Sequence, residues 1–148
     1  MARTAAANMG DFRDVFEPIL KEGKDILYVG FSGGLSTTVN AAAMAADELR
    51  AEYPDAAIET VDTLCASAGE GLMVKLAADK KNGGASLAET AEYVRKTSPQ
   101  MAHWFTVDDL FFLKRGGRVS AATAVMGTMP ASSRPMVVIN SPMPAQMA

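Results

Sequence analysis

Residues Gly30 to Thr38 read GFSGGLSTT. Two glycines are followed by one apolar residue and three hydroxyls, Ser36, Thr37 and Thr38. An apolar run precedes this stretch and an alanine-rich run follows it, so it reads as strand, glycine turn and helix start. Gly33 and Gly34 permit close backbone approach. The amides that open a helix point outward, and its dipole favours negative charge there. Ser32 and the later hydroxyls add donors, so the stretch can hold an anion. Two plainer roles stay open: Ser32 or Ser36 capping the helix, and the glycine pair making the turn. A Walker loop needs a Lys before the Ser/Thr, and a dinucleotide loop needs a third Gly; neither is present.

Other reactive residues are sparse. His103 is the only histidine, ahead of a β-forming run and with no second ligand near it, which favours a surface or packing role. Cys65 is the single cysteine; it lies beside Thr63 and Ser67 with no evident base, and reads as a small buried residue in a reducing cytosol. Asp108 and Asp109 read as helix caps rather than a metal pair. In KRGGR, Gly116 and Gly117 end a short helix, leaving Arg118 as the functional candidate. Asp62, at a strand end, is a weaker candidate.

These residues need a frame. GDFRDVFEPILKEGKD has apolar residues at helical spacing, with Pro18 expected to bend or restart the helix and Gly23 to end it. DILYVGF, AIETVDT, HWFTVDD and PMVVIN read as strands. STTVNAAAMAADELRAEYP, SAGEGLMVKLAADKKNGG, SLAETAEYVRKTSPQM, DDLFFLKRGG and SAATAVMGTM read as helices. Ser86 with Glu89 has capping-box spacing, and Ser120 is expected to cap the last helix. The alternation predicts an α/β fold with a mostly parallel sheet flanked by helices. MARTAAAN and SPMPAQMA read as tails.

The chain has 148 residues, enough for one buried core. With 14 basic and 17 acidic residues mixed along it, and a formal charge of -3, no basic stripe invites nucleic acid. No run is apolar enough to insert into a membrane, and the N-terminus lacks a secretory layout. Ten methionines read as irregular core filling.

Two family resemblances compete for the turn. FSGGLSTT is similar to the pyrophosphate loop of the ATP pyrophosphatases, Ser-Gly-Gly-apolar-Asp-Ser, except that Ser36 stands where those proteins have Asp. The second resemblance covers residues 4 to about 129. TAAANMGDF, YVGFSGGLSTTVNAA, VDTLCASAGEGLMV and FTVDDLFFLKRGGRVS, in that order, resemble four blocks of the DegV family of bacterial fatty-acid-binding proteins. The resemblance implies a long-chain fatty acid such as palmitate or oleate, bound between two α/β lobes, with no cofactor, metal or catalytic residue. Its carboxylate is expected at Thr4 and Ser36, beside Gly34 and Leu35, with Arg118 in the polar cluster. Leu35, Leu72, Met73, Phe105 and Phe112 are candidate walls for the tail. The implied partner is a separate fatty-acid kinase that phosphorylates the presented acid for phospholipid metabolism.

The same resemblance implies lobes of about 4–102 and 103–140 and a tail at 141–148. Family members are nearly twice as long, which makes this chain a truncated member, its fatty-acid cleft incomplete. Gly33, Thr37 and Val39 replace a common Ser, Gly and Tyr of the family. PASSRPMVVIN departs from the family's pattern, and a frame change near Pro130 is expected to account for it. A missing first strand leaves a sheet edge open to self-association. The competing functions are an ATP-pyrophosphatase-like nucleotide-binding protein and a non-binding remnant.

Overall fold

The computed structural model describes residues 5–106, 110–118 and 136–139. α1 (Met9–Lys21) begins with a capping box: Asn8 accepts from the Gly10 and Asp11 amides, while Asp11 accepts from the Asn8 amide. The helix runs on through Pro18 and does not restart there, and Gly23 ends it at φ 72°. β1 (Ile26–Gly30), α2 (Thr38–Glu52) and β2 (Ile58–Asp62) form one crossover unit. β1 and β2 are parallel, in register from Ile26 opposite Ile58 to Gly30 opposite Asp62.

α3 (Ser67–Asn82) and α4 (Leu87–Thr97) follow, with a 3-10 turn at Ser98–Gln100. The Ser86–Glu89 capping box forms as its spacing predicts. β3 (His103–Thr106), α5 (Leu110–Arg115) and β4 (Met136–Ile139) complete the described chain. The α/β class stands, but the sheet is divided. β3 and β4 pair antiparallel, in a ladder that shares no strand with β1 and β2.

Two apolar clusters sandwich the parallel pair. One joins Phe16 and Leu20 of α1, Ala42, Ala46 and Leu49 of α2, and Ile26 and Ile58 of the strands. The alanines keep α2 close to the sheet: Ala42, Ala45 and Ala46 are fully buried. Phe12 meets Tyr28 edge-on, with ring centres 5.2 Å apart. The other cluster joins Val61 and Cys65 to Met73 and Ala77 of α3 and to Ala91 and Val94 of α4. Arg13 of α1 forks onto Glu52 of α2 at 2.7 and 2.9 Å and reaches Glu48 at 3.1 Å. Among the described residues, no helix is long and apolar enough to cross a membrane.

Candidate functional site

The register fixes where the site lies. Gly30 and Asp62 are paired at the carboxyl end of the two strands, so the loops that follow leave side by side. In an open parallel sheet that end is where ligands bind. The loops are laced together. The Ser32 amide donates to the Cys65 carbonyl at 2.8 Å, and the Thr63 amide donates to the Gly30 carbonyl at 3.1 Å. The Thr63 hydroxyl donates to the same carbonyl at 2.7 Å and accepts from the Cys65 amide at 3.2 Å. Ser32, Thr63 and Cys65 are all buried.

The glycine turn is closed on its inner side. The Asp62 carboxylate accepts the Gly33 amide at 3.0 Å with one oxygen and the Leu64 amide at 2.8 Å with the other. The Gly34 amide donates to the Ser32 hydroxyl at 3.3 Å. The Leu35 and Ser36 amides donate to the Ser32 carbonyl at 3.0 and 3.1 Å. A Cβ on Gly33 would stand 2.7 Å from an Asp62 oxygen, so close approach requires glycine there. The second loop holds Leu64 at φ 56° and α3 opens on Ser67 at φ 51°, left-handed conformations that L-residues rarely adopt.

The outer side is less tied. The Ser36 hydroxyl lies 2.7 Å from the Thr38 hydroxyl and accepts the Thr38 amide at 3.3 Å. Accepting that amide leaves the Ser36 proton available to donate, either to Thr38 or outward. Thr37 is the N-cap residue of α2 but makes no side-chain cap bond, and the first turn holds no acidic residue. The amides of Thr37, Val39 and Asn40 meet no acceptor among the described residues.

Arg118 arrives from the far end of the described chain. Its Nε donates to the Leu35 carbonyl at 3.2 Å and its Nη1 to the Gly116 carbonyl at 2.5 Å. The result is an open cavity of about 330 Å3 lined by Ala6, residues 33–37 and Gly116, Gly117 and Arg118. Three stretches remote in sequence thus meet at one hydroxyl-rich rim carrying a guanidinium. Such a rim can receive a small anion through charge-assisted hydrogen bonds.

Of the predicted residues, Gly34, Leu35, Ser36 and Arg118 share this cavity. Thr4 lies outside the described residues, as do Asp108, Asp109, Ser120 and Pro130; the side chains of His103 and Phe105 are likewise outside. The expected walls largely do not gather here. Met73 is fully buried in the α3–α4 cluster, while Leu72 and Phe112 are exposed on the surface. Only Leu35 of that set lines the cavity among the described residues. The plain capping role of Ser36 is present as well, since it accepts the first helical amide.

Sequence reasoning passed over two supports. Asn8 caps α1 just after the cavity residue Ala6, and Asn-x-x-Asp spacing was there to signal it. Thr38 orients Ser36, a role visible only in three dimensions.

Electrostatics around the loops follow burial. Desolvation pushes the Cys65 thiol above its usual range, with the charges of Asp62 and Glu70 adding to the effect and the Thr63 bond opposing it. Cys65 is a buried thiol packed in the α3–α4 cluster. Partial burial raises Glu70, and it raises Tyr28 with help from the Glu70 charge. Among the described residues no group of three His, Cys, Asp or Glu is arranged to hold a metal.

Comparison with known proteins places this geometry in a class. The family model described as "Uncharacterised protein, DegV family" matches residues 1–136. The chain belongs to the DegV family. A DegV domain-containing protein of Streptococcus pyogenes is 44% identical over 138 residues, covering 93% of this chain and 48% of the relative. The solved structure of a fatty-acid-binding DegV family protein from Thermus thermophilus superposes with TM-score 0.75 at 32% identity, over 91% of this chain and 46% of that one. DegV of Bacillus subtilis, a fatty acid binding protein, superposes with TM-score 0.69 at 26% identity, over 88% and 45%. The chain spans about half the length of the curated relatives it matches.

Proposed function

We propose that the chain is the carboxylate-holding part of a fatty-acid carrier. Ser36 and Arg118 grip the carboxylate of a long-chain fatty acid at the rim formed with Gly34 and Leu35, and Thr4 completes the grip. The carrier acts in the cytoplasm and presents the head group to a separate fatty-acid kinase; it performs no chemistry itself. The two ladders, β1–β2 and β3–β4, belong to two lobes meeting near residue 102. The observation that carries the reading is the convergence of Ala6, the glycine turn and Arg118 on one cavity.

The chemistry supports a carrier. A carboxylate needs two or three donors, and a guanidinium with a hydroxyl and helix-start amides supplies them. The described lining contains no carboxylate, imidazole or amine to serve as a general base. The tail supplies most of the affinity, about 0.8 kcal/mol for each CH2 removed from water. The nucleotide alternative is disfavoured because a polyphosphate cradle needs outward amides, and those of Gly33, Gly34, Leu35 and Ser36 already donate inward.

Organic extraction of the purified chain followed by mass spectrometry tests the reading. Co-purified palmitate, oleate or a neighbouring acid is expected. Protein that carries none and fails to bind added palmitate would refute it, as would thermal stabilisation by ATP with Mg2+ in its place.

A further inference from the structure

We infer that Asp62 is the positioning residue of the carboxylate clamp; the inference rests on the carrier reading of the cavity and deepens it. Asp62 sits at the end of β2, on a different strand from the turn that it holds. One carboxylate oxygen takes the Gly33 amide, 29 residues away, and the other takes the Leu64 amide two residues on. The Asp62–Gly33 bond joins the two loops alongside the Ser32–Cys65 and Thr63–Gly30 bonds, and of these it is the one that reaches the glycine turn itself. Loss of the bond to the Gly33 amide frees Gly33, whose neighbours Gly34, Leu35 and Ser36 line the cavity.

The arrangement also disposes of a charge conflict. Asp62 is an acid close to a site meant for an acid. Its two oxygens face the two amides, and the Gly33 amide turns its positive end toward Asp62 rather than toward the cavity. The second loop gains from the same residue, because the Leu64 amide that Asp62 anchors belongs to a residue held at φ 56°. One side chain thus sets both the turn carrying Ser36 and the loop behind it, while it touches no ligand.

Asp62→Asn separates this role from simple packing. It keeps the shape but offers one acceptor atom, and its NH2 cannot accept an amide. The local bond to Leu64 is the easier to keep, so the link to Gly33 is the one lost. Three readings on the whole chain decide the matter: amide exchange by NMR, palmitate binding, and binding of hexadecanol, which has a similar tail and no carboxylate.

In Asp62→Asn the Gly33 amide should exchange at least about tenfold faster while β1 and β2 amides hold their protection, in keeping with loss of one charge-assisted bond. Palmitate affinity should fall by about tenfold or more, with hexadecanol affinity changed by less than about twofold. Unchanged Gly33 exchange overturns the inference, and so does equal weakening of palmitate and hexadecanol. A wild-type chain that binds neither ligand overturns the carrier reading instead; Gly33 exchange alone then upholds or overturns the assignment of the turn to Asp62. Asp62→Ala should exceed Asp62→Asn in each reading, and the Asn variant carries the test if the Ala variant fails to fold.

Discussion

The two sides of the glycine turn follow opposite rules. On the inner side every amide from Gly33 to Ser36 has a partner, and Ser32, Thr63 and Cys65 are buried. On the outer side Ser36 is half-buried, Arg118 is exposed, and three helix-start amides lack acceptors among the described residues. The inner side keeps a shape; the outer side keeps donors available. The difference predicts that substitutions in the buried lacing of Ser32, Thr63 and Cys65 are read as stability and outer ones as binding, with Asp62 the inner residue that bears on both.

The sharpest way to break that comparison starts beneath both sides. Leu49→Ala removes a fully buried side chain from the α1–α2 cluster and should destabilise by about 2–5 kcal/mol in a denaturant titration. A loss no larger than that of the loop variants would mean the loops, not the core, dominate stability. Thr63→Val comes next. It strips the Cys65 amide of its acceptor and the Gly30 carbonyl of one donor, and about 1–3 kcal/mol should be lost. Wild-type melting would show that the lacing between the loops contributes nothing.

Ser36→Ala and Arg118→Ala should divide the two sides most clearly. Each should weaken palmitate binding by about tenfold, the effect of losing a charge-assisted bond, with little change in unfolding midpoint. A large stability loss with unchanged binding would reverse the assignment of sides.

Acid should act on the α1–α2 bridge and the α4 cap. Glu52 is held below the usual carboxylate range by its hydrogen bond to Arg13, Glu17 by those to Lys21 and Tyr53, and Glu89 by those to Ser86. A carboxyl depressed in the folded state contributes stability above its unfolded pKa and loses it as pH falls through the folded one. Stability should therefore decline gently below about pH 4, and an Arg13→Ala variant should show a shallower decline. An equal slope in both would remove the α1–α2 bridge from the account. The smallest effect belongs to Ser67→Gly, which relieves an exposed left-handed residue and should raise stability by up to about 1 kcal/mol.

Much of the fold was legible because its signals are local. Ser86 and Glu89 announced their cap, the alanines of α2 announced close packing, and Cys65 lies buried as its neighbours implied. Strand pairing was less legible. Nothing in HWFT or MVVI reveals that they run antiparallel in a ladder of their own, since direction is decided by partners far along the chain. The site divided in the same way. Gly34, Leu35, Ser36 and Arg118, singled out from their motifs, line one cavity. The Asp62 bond to Gly33 was not legible, because it joins residues on two different loops 29 positions apart. Met73 lies buried in the core and Phe112 exposed on the surface, positions that their apolar character alone did not distinguish.

The inward-facing amides of the turn carry one last consequence. A loop that satisfies its own backbone keeps its outline whether or not anything is bound. Emptying such a site strands none of the turn's own amides from Gly33 to Ser36, so loading and unloading need no refolding of the turn. Under the proposed carrier reading, the empty state would already be the receiving state, and exchange would be governed by how fast an apolar tail enters and leaves.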